Sequence, residues 1–376
     1  MGRPLRILHL HSTFTLGGKE ARAVRLMNAF GAAAEHVVLS AMPGALGARA
    51  AIDPAIRADF PADHPPLAGR PSLARYRALA RTMRAFDLLL AYNWGAMDAV
   101  MAHRLFGGPP LVHHEDGFNE DEAAGPKRAR TLFRRIALGG ARALVVPSRG
   151  LERIALDRWR QPPARVRRIA NGIPVARFAG PPRPGAIPGF ERKPGELVIG
   201  TVAGLRAVKN LPLLVRAFAR LPPNARLVIV GEGPAREAIS AEAAARGVAD
   251  RLLLPGFLPD PAAYMGHFDI FALSSLSEQA PIALIEAMAA GLPAAATDVG
   301  DICAMLAPQN RPFVAPAGDE EGYAAALATL AGDPHLRGVA GAANRARAGA
   351  EHDEDAMIAA YAMLYGDAAG RPGALR

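Results

Sequence analysis

The chain has 376 residues, 51% of them hydrophobic, and a formal net charge of +9 at pH 7, which favours about two domains with well-formed cores. We find no apolar run of 18 residues and a single cysteine, Cys303, so we expect no transmembrane helix, no disulfide framework and no cysteine-based zinc site. The N-terminal residues lack the apolar segment of a signal peptide, and we therefore predict a cytoplasmic protein.

The charge is unevenly distributed along the chain. Residues 1–190 contain 28 Lys/Arg and 14 Asp/Glu, whereas residues 191–376 contain 16 and 21. Two stretches in the first half, 70–86 and 127–138, are especially rich in arginine, and the first has its apolar positions at helical spacing. Such a helix could be a solvated domain surface, or it could dock on an anionic membrane. No zinc-finger, RNP or helix-turn-helix pattern accompanies the charge, so we do not expect nucleic acid as a partner.

Predicted strands alternate with helical patterns through the first half. Short apolar runs predict strands at 5–12, 36–42, 86–93, 110–115 and 143–148. Between the first two runs, residues 19–30 have helical spacing. This alternation indicates a parallel sheet covered by helices on both faces.

The alternation stops at residues 179–196, which are rich in Pro and Gly, and then starts again. Further strands are predicted at 197–204, 225–233, 251–257, 269–275 and 292–298, and helices at 211–221, after Pro234, at 322–333 and at 354–366. The fold class is therefore α/β, with two doubly wound Rossmann-like domains facing a central cleft. We predict a first domain at 1–178, a linker at 179–196, a second domain at 197–350, and a terminal segment 351–376 whose helix could pack back on the first domain.

Two loops that follow predicted strands combine positive charge with glycine. In "GLRAVKN" (204–210), Arg206 and Lys209 lie beside a helix N-terminus, which is a suitable site for an anion. In "LGGKE" (16–20), Gly17 and Gly18 would let backbone N–H groups approach a phosphate or a sugar. The alternatives are solvated surface cations in the first loop and a plain glycine turn in the second.

The segment "SEQAPIALIEAMAAGLP" (277–293) is strongly apolar and yet contains Glu278 and Glu286. Pro281 and Gly291 suit the start and the end of a helix, which places Glu278 in the preceding loop and Glu286 in the second turn. A carboxylate on such an element needs hydrogen-bond donors, and one carboxylate can accept from two neighbouring hydroxyls of a sugar. A partly exposed helix glutamate is the alternative for Glu286. The glycines of "IVGEGP" (229–234), among them Gly231, could let a flat base lie against the backbone.

These motifs together resemble glycosyltransferase family 4, a retaining family with the GT-B fold. The resemblance is carried by "GLRAVKN", by "SLSEQAPIALIEAMAAGLP", by "NGIP" (171–174) and by "LGGKEARAVRLMNAF", in the order that the family has them. It implies that residues 1–178 form the acceptor-binding domain and residues 197–350 the nucleotide-sugar-binding domain. It also implies that Arg206 and Lys209 bind the donor diphosphate, that Glu278 lies by the donor sugar, and that Glu286 binds the nucleotide ribose. The chain departs from the family pattern at Gln279, Ala280, Cys303 and Ala304.

The family also has a histidine near the reacting carbon, supplied by the first domain. In "PPLVHHEDGF" (109–118) we favour His114 for this role, with His113 and Asp116 as rivals. Asn93 and Trp94, at the end of the preceding strand, are candidates for the acceptor side together with His113 and Asp116, and ordinary packing is the alternative for Trp94. We thus assign His114, Glu278, Arg206 and Lys209 to catalysis.

The sequence therefore predicts a retaining glycosyltransferase in bacterial exopolysaccharide or lipopolysaccharide synthesis. Its substrates would be a nucleotide-diphosphate sugar and a glycan or lipid-linked acceptor, without metal or other cofactor, and an anionic membrane surface is a further candidate partner. A non-catalytic sugar-nucleotide-binding GT-B protein is the main alternative. A GT-B epimerase or phosphorylase, and a dehydrogenase, are less favoured, the latter because the G-x-G-x-x-G fingerprint is missing.

Overall fold

The computed structural model describes residues 3–15, 17–118, 122 and 127–375. Contacts along the chain divide it into two compact units. The first consists of residues 1–171 together with 355–376, and the second of residues 172–354. The predicted linker, 179–196, thus belongs to the second unit, where Ile187 and Phe190 are buried in the core.

Within the described part of the first unit, seven parallel strands form one sheet in the order β3-β2-β1-β4-β5-β6-β7. The strands are β1 (Leu5–His11), β2 (Ala34–Ser40), β3 (Ala58–Asp59), β4 (Leu88–Tyr92), β5 (Leu111–His114), β6 (Ala143–Val146) and β7 (Val166–Arg168). The helices are α1 (Gly18–Phe30), α2 (Leu73–Met83), α3 (Met97–Phe106), α4 (Arg128–Ala137) and α5 (Arg149–Asp157). The continuous apolar sequence of the central strands fits a sheet that is buried on both faces.

The described residues of the second unit form a six-stranded parallel sheet in the order β10-β9-β8-β11-β12-β13. Its strands are β8 (Leu197–Val202), β9 (Ala225–Val230), β10 (Leu252–Gly256), β11 (Ile270–Leu273), β12 (Ala294–Asp298) and β13 (Val314–Pro316). Its helices are α6 (Leu211–Phe218), α7 (Arg236–Ala245), α8 (Pro261–Tyr264), α9 (Ile282–Ala289), α10 (Ile302–Met305), α11 (Glu320–Gly332) and α12 (Pro334–Glu351).

The last helix, α13 (Glu354–Ala368), follows the second unit in sequence, but most of it packs in the first. Met357, Tyr361 and Tyr365 are buried in the same core cluster as residues of β1, β4 and α1. The first unit is therefore built from both ends of the chain.

The two sheets share one topological property that locates ligand sites. Strand order reverses between β1 and β4 in the first unit and between β8 and β11 in the second. Loops that leave neighbouring parallel strands at such a switch point diverge, and ligands of doubly wound sheets bind at the carboxyl ends of the strands there. The predicted GT-B class of two Rossmann-like units is confirmed.

Some predicted elements differ from the observed ones. The short edge strands β3, β7 and β13 and the 18-residue helix α12 were not predicted, and the helix expected to start at Pro234 starts at Arg236. Two or three residues are too few to show a periodic pattern. Helix α12 was missed because several glycines and few large apolar residues obscure its helical pattern.

Candidate functional site

The loop after β8 positions the two predicted diphosphate-binding cations. Arg206 is exposed at the carboxyl end of β8, and Lys209 follows in a 3₁₀ turn, with 17% of its side chain exposed. Asn210 then adopts a left-handed conformation with φ of 46°. This conformation, which asparagine tolerates better than most residues, directs the chain into α6.

Lys209 is paired with Glu278, which comes from the loop after β11, the neighbouring strand across the switch point. The ammonium Nζ of Lys209 donates to Oε1 of Glu278. The hydroxyl Oγ of Ser275 donates to the same oxygen, at 2.7 Å. The structure thus brings together one cation and one carboxylate that are 69 positions apart in the sequence.

Two hydroxyl groups and a glycine next to the Glu278 loop hold it in place. Ser274 donates its hydroxyl to the carbonyl oxygen of Lys209 at 3.0 Å, and Thr297 donates to that of Ser275 at 2.6 Å. Gly300, at φ of 62°, lies so close that an added Cβ would be 2.2 Å from the carbonyl oxygen of Glu278. The sequence did not identify these supporting residues, because hydroxyls and glycines after strands are common and their partners are distant in sequence.

A small pocket within the second unit is lined by Lys209, Glu278 and several of their neighbours. Among the lining residues are Thr201, Lys209, Ser274, Ser275, Glu278 and Pro281. The pocket offers an ammonium group, a carboxylate and hydroxyls at the carboxyl ends of β8 and β11. Such a set can bind an anion beside a hydroxyl-bearing ring.

Glu286 lies in the second turn of α9, as expected, on a helix whose other faces are largely buried. Its side chain is half-buried and interacts electrostatically with the phenol of Tyr264 at the end of α8. Burial raises the pKa of Tyr264 well above its usual value, and the negative charge of Glu286 raises it further. The helix begins at Ile282, so Pro281 is the N-cap residue.

Gly231 is buried and lies against the backbone that precedes Arg206. An added Cβ would be 1.9 Å from the carbonyl oxygen of Ala203, and one on Gly233 would be 2.5 Å from that of Leu205. Both glycines have positive φ, at 142° and 153°. They let the turn after β9 pack closely on the loop after β8, which is a packing role that the sequence did not suggest.

In the first unit, Gly17 and Gly18 are exposed at the start of α1. Gly17 is the N-cap residue and is fully extended, with φ of −146°. Lys19 and Glu20 form an ion pair in the next two positions. The carboxylate of Glu20 also lies close to Gly17, since an added Cβ on Gly17 would be 3.0 Å from Oε2 of Glu20.

The four polar residues 113–116, at the end of β5 and just beyond it, alternate between the two faces of the sheet. His113 and Glu115 are fully buried on the side of α4, where Glu115 accepts from the buried guanidinium of Arg134 at 3.1 Å. His114 and Asp116 point to the other side, where α1 and α13 pack.

His114 is fully buried, and both of its ring nitrogens are engaged. Nδ1 lies 3.2 Å from the carbonyl oxygen of Ala91, and Nε2 lies 2.7 Å from the hydroxyl of Tyr365 on α13. Burial and the nearby charge of Arg22 lower the pKa of His114 to about 3, so the ring is neutral. Both contacts lie inside the first unit and do not test the role assigned to His114, which stays a prediction.

Asp116 retains 16% exposure of its side chain and is held by Arg22 of α1. The guanidinium donates to both carboxylate oxygens, at 2.5 and 2.9 Å. Burial by itself would raise the pKa of Asp116, but the charge and the hydrogen bonds of Arg22 lower it below the usual value.

Asn93 and Trp94, the acceptor-side candidates at the end of β4, have different surroundings. Asn93 adopts φ of 54°, and its side-chain oxygen accepts from the backbone N–H of Asp116 at 2.7 Å. The Trp94 ring packs against the guanidinium groups of Arg130 and Arg134, at 4.8 and 4.9 Å from the ring centroid. Asn93 thus supports Asp116, whereas Trp94 contributes to the arginine-rich packing beside α4.

Two family models match most of the chain in consecutive blocks. Residues 16–177 match Glycosyltransferase Family 4, and residues 186–347 match Glycosyl transferases group 1. The chain belongs to glycosyltransferase family 4. The match includes the loops that carry Gly17, Lys209 and Glu278, so the sites described above lie in regions that this family shares.

Among curated proteins, this family 4 chain is similar to two transferases over part of its length. It is 28% identical over 261 residues to D-inositol 3-phosphate glycosyltransferase of Mycobacterium marinum, covering 64% of this chain and 54% of the relative. It is 36% identical over 98 residues to N-acetylgalactosamine-N,N'-diacetylbacillosaminyl-diphospho-undecaprenol 4-alpha-N-acetylgalactosaminyltransferase of Campylobacter jejuni, covering 26% and 27%. The chain thus spans about half or less of the length of these relatives.

Solved GT-B structures are similar to the family 4 chain over nearly its whole length. HepE of Anabaena in complex with UDP-glucose has a TM-score of 0.76 at 18% identity, over 96% of this chain and 100% of that one. WaaG, described as a glycosyltransferase involved in lipopolysaccharide biosynthesis, has a TM-score of 0.71 at 18% identity, over 96% and 99%. At these identities the likeness establishes the fold.

Proposed function

We propose that the chain is a retaining glycosyltransferase that moves a sugar from a nucleotide-diphosphate donor to a glycan or lipid-linked acceptor. The observation that carries the proposal is the Lys209–Glu278–Ser275 cluster, which joins the loops of β8 and β11 at the switch point of the second sheet. HepE, which shares this fold, is described in complex with UDP-glucose.

Two residues of this cluster and four residues outside it have proposed roles in donor binding. Arg206 and Lys209 would neutralise the charge that builds up on the departing diphosphate, which is the main electrostatic contribution to catalysis. Glu278 would accept hydrogen bonds from the donor sugar and Glu286 from the ribose, since an ionised carboxylate can accept from two vicinal hydroxyls. Gly17 and Gly18 are proposed to help bind the donor through their backbone N–H groups.

Retention and metal independence remain parts of the proposal. The anomeric carbon would develop oxocarbenium character, and the acceptor would attack from the face that the diphosphate leaves. Because two cations already face the diphosphate in this scheme, we expect transfer to continue in the presence of EDTA. A loss of activity with EDTA that Mg²⁺ or Mn²⁺ restores would contradict this part of the proposal.

The donor can be identified by thermal stabilisation of the full-length protein with a panel of nucleotide sugars, since a ligand of the folded state raises the melting temperature. Release of the nucleoside diphosphate would then be followed with candidate acceptors. Lys209→Ala should lower turnover by at least about tenfold with the fold intact. Arg216→Ala, which breaks an Arg216–Glu320 pair elsewhere in the second unit, is the matched control. Unchanged turnover in Lys209→Ala would refute the assignment.

A non-catalytic sugar-nucleotide-binding protein is the alternative, since the same cluster could bind a donor without transferring the sugar. Thermal stabilisation would then occur without transfer and without donor hydrolysis. Transfer to any acceptor would exclude this alternative.

The acceptor side of the proposal includes an anionic membrane surface. Helices α2, α3 and α4 pack side by side in the first unit, and they present exposed leucine and isoleucine side chains among arginines. Leu73 is 68% exposed on α2, and Leu132 and Ile136 are 57% and 49% exposed on α4. Apolar side chains surrounded by arginine favour an interface with anionic lipid.

None of the helices that the structure describes is long and apolar enough to cross a membrane. We therefore propose a peripheral association with the inner face of the cytoplasmic membrane, where the protein would serve exopolysaccharide or lipopolysaccharide synthesis. A lipid-linked acceptor would be available at such a surface.

Co-sedimentation with phosphatidylglycerol and phosphatidylcholine vesicles over a salt series tests this association. The wild type should bind the anionic vesicles and release them as salt rises. Leu132→Glu with Ile136→Glu should lower binding, whereas Met363→Glu, at a position 52% exposed on α13, should not. Binding that is indifferent to lipid charge and to salt would refute membrane docking.

A further inference from the structure

We infer that Asp116, held by Arg22, binds a hydroxyl group of the acceptor sugar on the first unit. The inference rests on the proposed function, because it names the residue through which that unit would contact the acceptor. It concerns the polar sequence "HHED" at the end of β5. Within it, His114, His113 and Asp116 are competing candidates for the residue near the reacting carbon.

Accessibility separates the three candidates. His113 and His114 are fully buried, and so is Glu115, which lies between His114 and Asp116. Both ring nitrogens of His114 already have partners inside the first unit. Asp116 alone of these four residues keeps an exposed part of its side chain, 16%. It also lies just beyond β5, at the carboxyl end of the sheet where ligands of this fold class bind.

Arg22 connects three separate elements at this end of the sheet. From α1 it donates to both oxygens of Asp116, and its Nη1 also donates to the side-chain oxygen of Asn171, at 3.1 Å. The ring of Tyr361 on α13 lies 5.6 Å from the guanidinium carbon. Asn93 accepts from the backbone N–H of Asp116. The carboxylate is thus fixed at both its side chain and its backbone before any ligand binds.

The chemistry of this carboxylate suits hydroxyl binding. An ionised carboxylate has about four lone-pair positions. Arg22 occupies two of them, one on each oxygen, so others remain for hydroxyl donors on the exposed side. Because Arg22 stabilises the charged form, Asp116 is a weak base and its proposed role is to accept hydrogen bonds. Arg22 is then a positioning residue that acts through Asp116.

A purely structural ion pair is the competing interpretation, and the first unit contains a matched example. Arg75 pairs with Asp98 at 2.7 Å, with side-chain exposures of 11% and 20% that resemble those of Arg22 and Asp116. Asp98, however, lies in the first turn of α3 and not just after a strand. Substitutions at the two pairs therefore separate sugar binding from stability.

The experiment measures binding of octyl glucoside, octyl galactoside and octyl mannoside to the full-length protein by saturation-transfer NMR, with melting temperature and UDP affinity recorded in parallel. Asp116→Asn alone leaves Arg22 buried without its counter-ion, which can prevent folding. The double variant Arg22→Gln with Asp116→Asn removes both charges and avoids this problem. Arg22→Lys keeps the positive charge but loses the bidentate hydrogen bonds to Asp116.

We expect at least one glycoside to bind the wild type, and the double variant to lose about tenfold or more in affinity for it. Arg22→Lys should show a smaller loss, and UDP affinity should not change. The control Arg75→Gln with Asp98→Asn should keep glycoside binding, whatever its melting temperature. Equal glycoside binding by the double variant and the wild type, or no glycoside binding by the wild type, would overturn the inference.

Transfer from the nucleotide sugar is assayed separately. A wild type that binds glycosides through Asp116 but transfers no sugar would refute the proposed function and leave the sugar-binding role of Asp116 standing.

Discussion

The hydroxyl of Tyr365 lies 2.7 Å from Nε2 of His114, although 251 positions separate the two residues in the sequence. This hydrogen bond ties α13 to β5, the strand that leads to Asp116. The second ring nitrogen of His114 is bound to the carbonyl oxygen of Ala91, so the imidazole is fully engaged inside the first unit.

We predict that Tyr365→Phe destabilises the first unit by about 1–3 kcal/mol, because it leaves a buried nitrogen of His114 without its partner. Tyr361→Phe is a matched control on the same helix, since the buried Tyr361 hydroxyl has no hydrogen-bond partner among the described residues. The control should be close to neutral. Thermal unfolding followed by circular dichroism checks both variants, and equal effects would contradict the prediction.

The stability of the first unit should decrease as the pH falls below about 6.5. Burial lowers the pKa of His9 and His11 well below 6.5, that of His36 to about 4 and that of His114 to about 3. In the unfolded chain these histidines titrate near 6.5, so the unfolded state binds more protons below that pH and is favoured. Melting temperatures measured from pH 8 to pH 4 should show a plateau followed by a decline.

His11→Phe should make that decline shallower. Neither ring nitrogen of His11 has a hydrogen-bond partner in the part of the chain that the structure describes, and the ring stacks on Tyr92 at 4.0 Å between centroids. A phenyl ring keeps the stacking and cannot bind a proton. A variant that is as acid-sensitive as the wild type would show that other groups control the pH dependence.

Glu278→Gln should bind UDP at least as tightly as the wild type and yet transfer sugar about 10- to 100-fold more slowly. The amide removes the negative charge that competes for Lys209, while it retains an oxygen that can accept from Ser275. It accepts weaker hydrogen bonds from sugar hydroxyls than a carboxylate does. Calorimetry with UDP and an assay of nucleoside diphosphate release provide the two measurements. Weakened UDP binding with normal transfer would contradict the proposed roles.

Gly300→Ala should weaken both stability and UDP affinity. At φ of 62° an alanine is strained, and its Cβ would also be 2.2 Å from the carbonyl oxygen of Glu278, so the Glu278 loop must move. Gly247, at φ of 66° with nothing within 4 Å of an added Cβ, provides the control. Gly247→Ala should lower stability by about 1 kcal/mol and leave UDP affinity unchanged. Equal UDP affinities for the two variants would show that the loop tolerates the change.

The sequence predicted the central strands of both sheets within a few residues, because continuous apolar runs bounded by Pro, Gly and Ser are distinctive. It also assigned Lys209 and Glu278 to one donor site; the structure shows the two residues as an ion pair, and their role in donor binding stays a prediction. It could not predict the bond from His114 to Tyr365, since no local pattern shows that two residues so far apart meet.

Arg22 was missed for a similar reason. The sequence places it on an amphipathic helix rich in arginine and alanine, where it resembles any solvated cation. Only the three-dimensional arrangement shows that it is 5% exposed and paired with Asp116. Buried charge pairs are set by tertiary packing, and sequence periodicity contains no information about them.

The first unit includes residues from both ends of the chain, whereas the second is one uninterrupted segment. The second unit therefore has all of its residues once residue 354 has been synthesised, whereas the core of the first also needs Tyr361 and Tyr365. Until α13 emerges, the apolar surface around His11, Tyr92 and His114 lacks its cover. The first unit thus cannot complete its core until almost the whole chain has been synthesised, although its first strands are synthesised early.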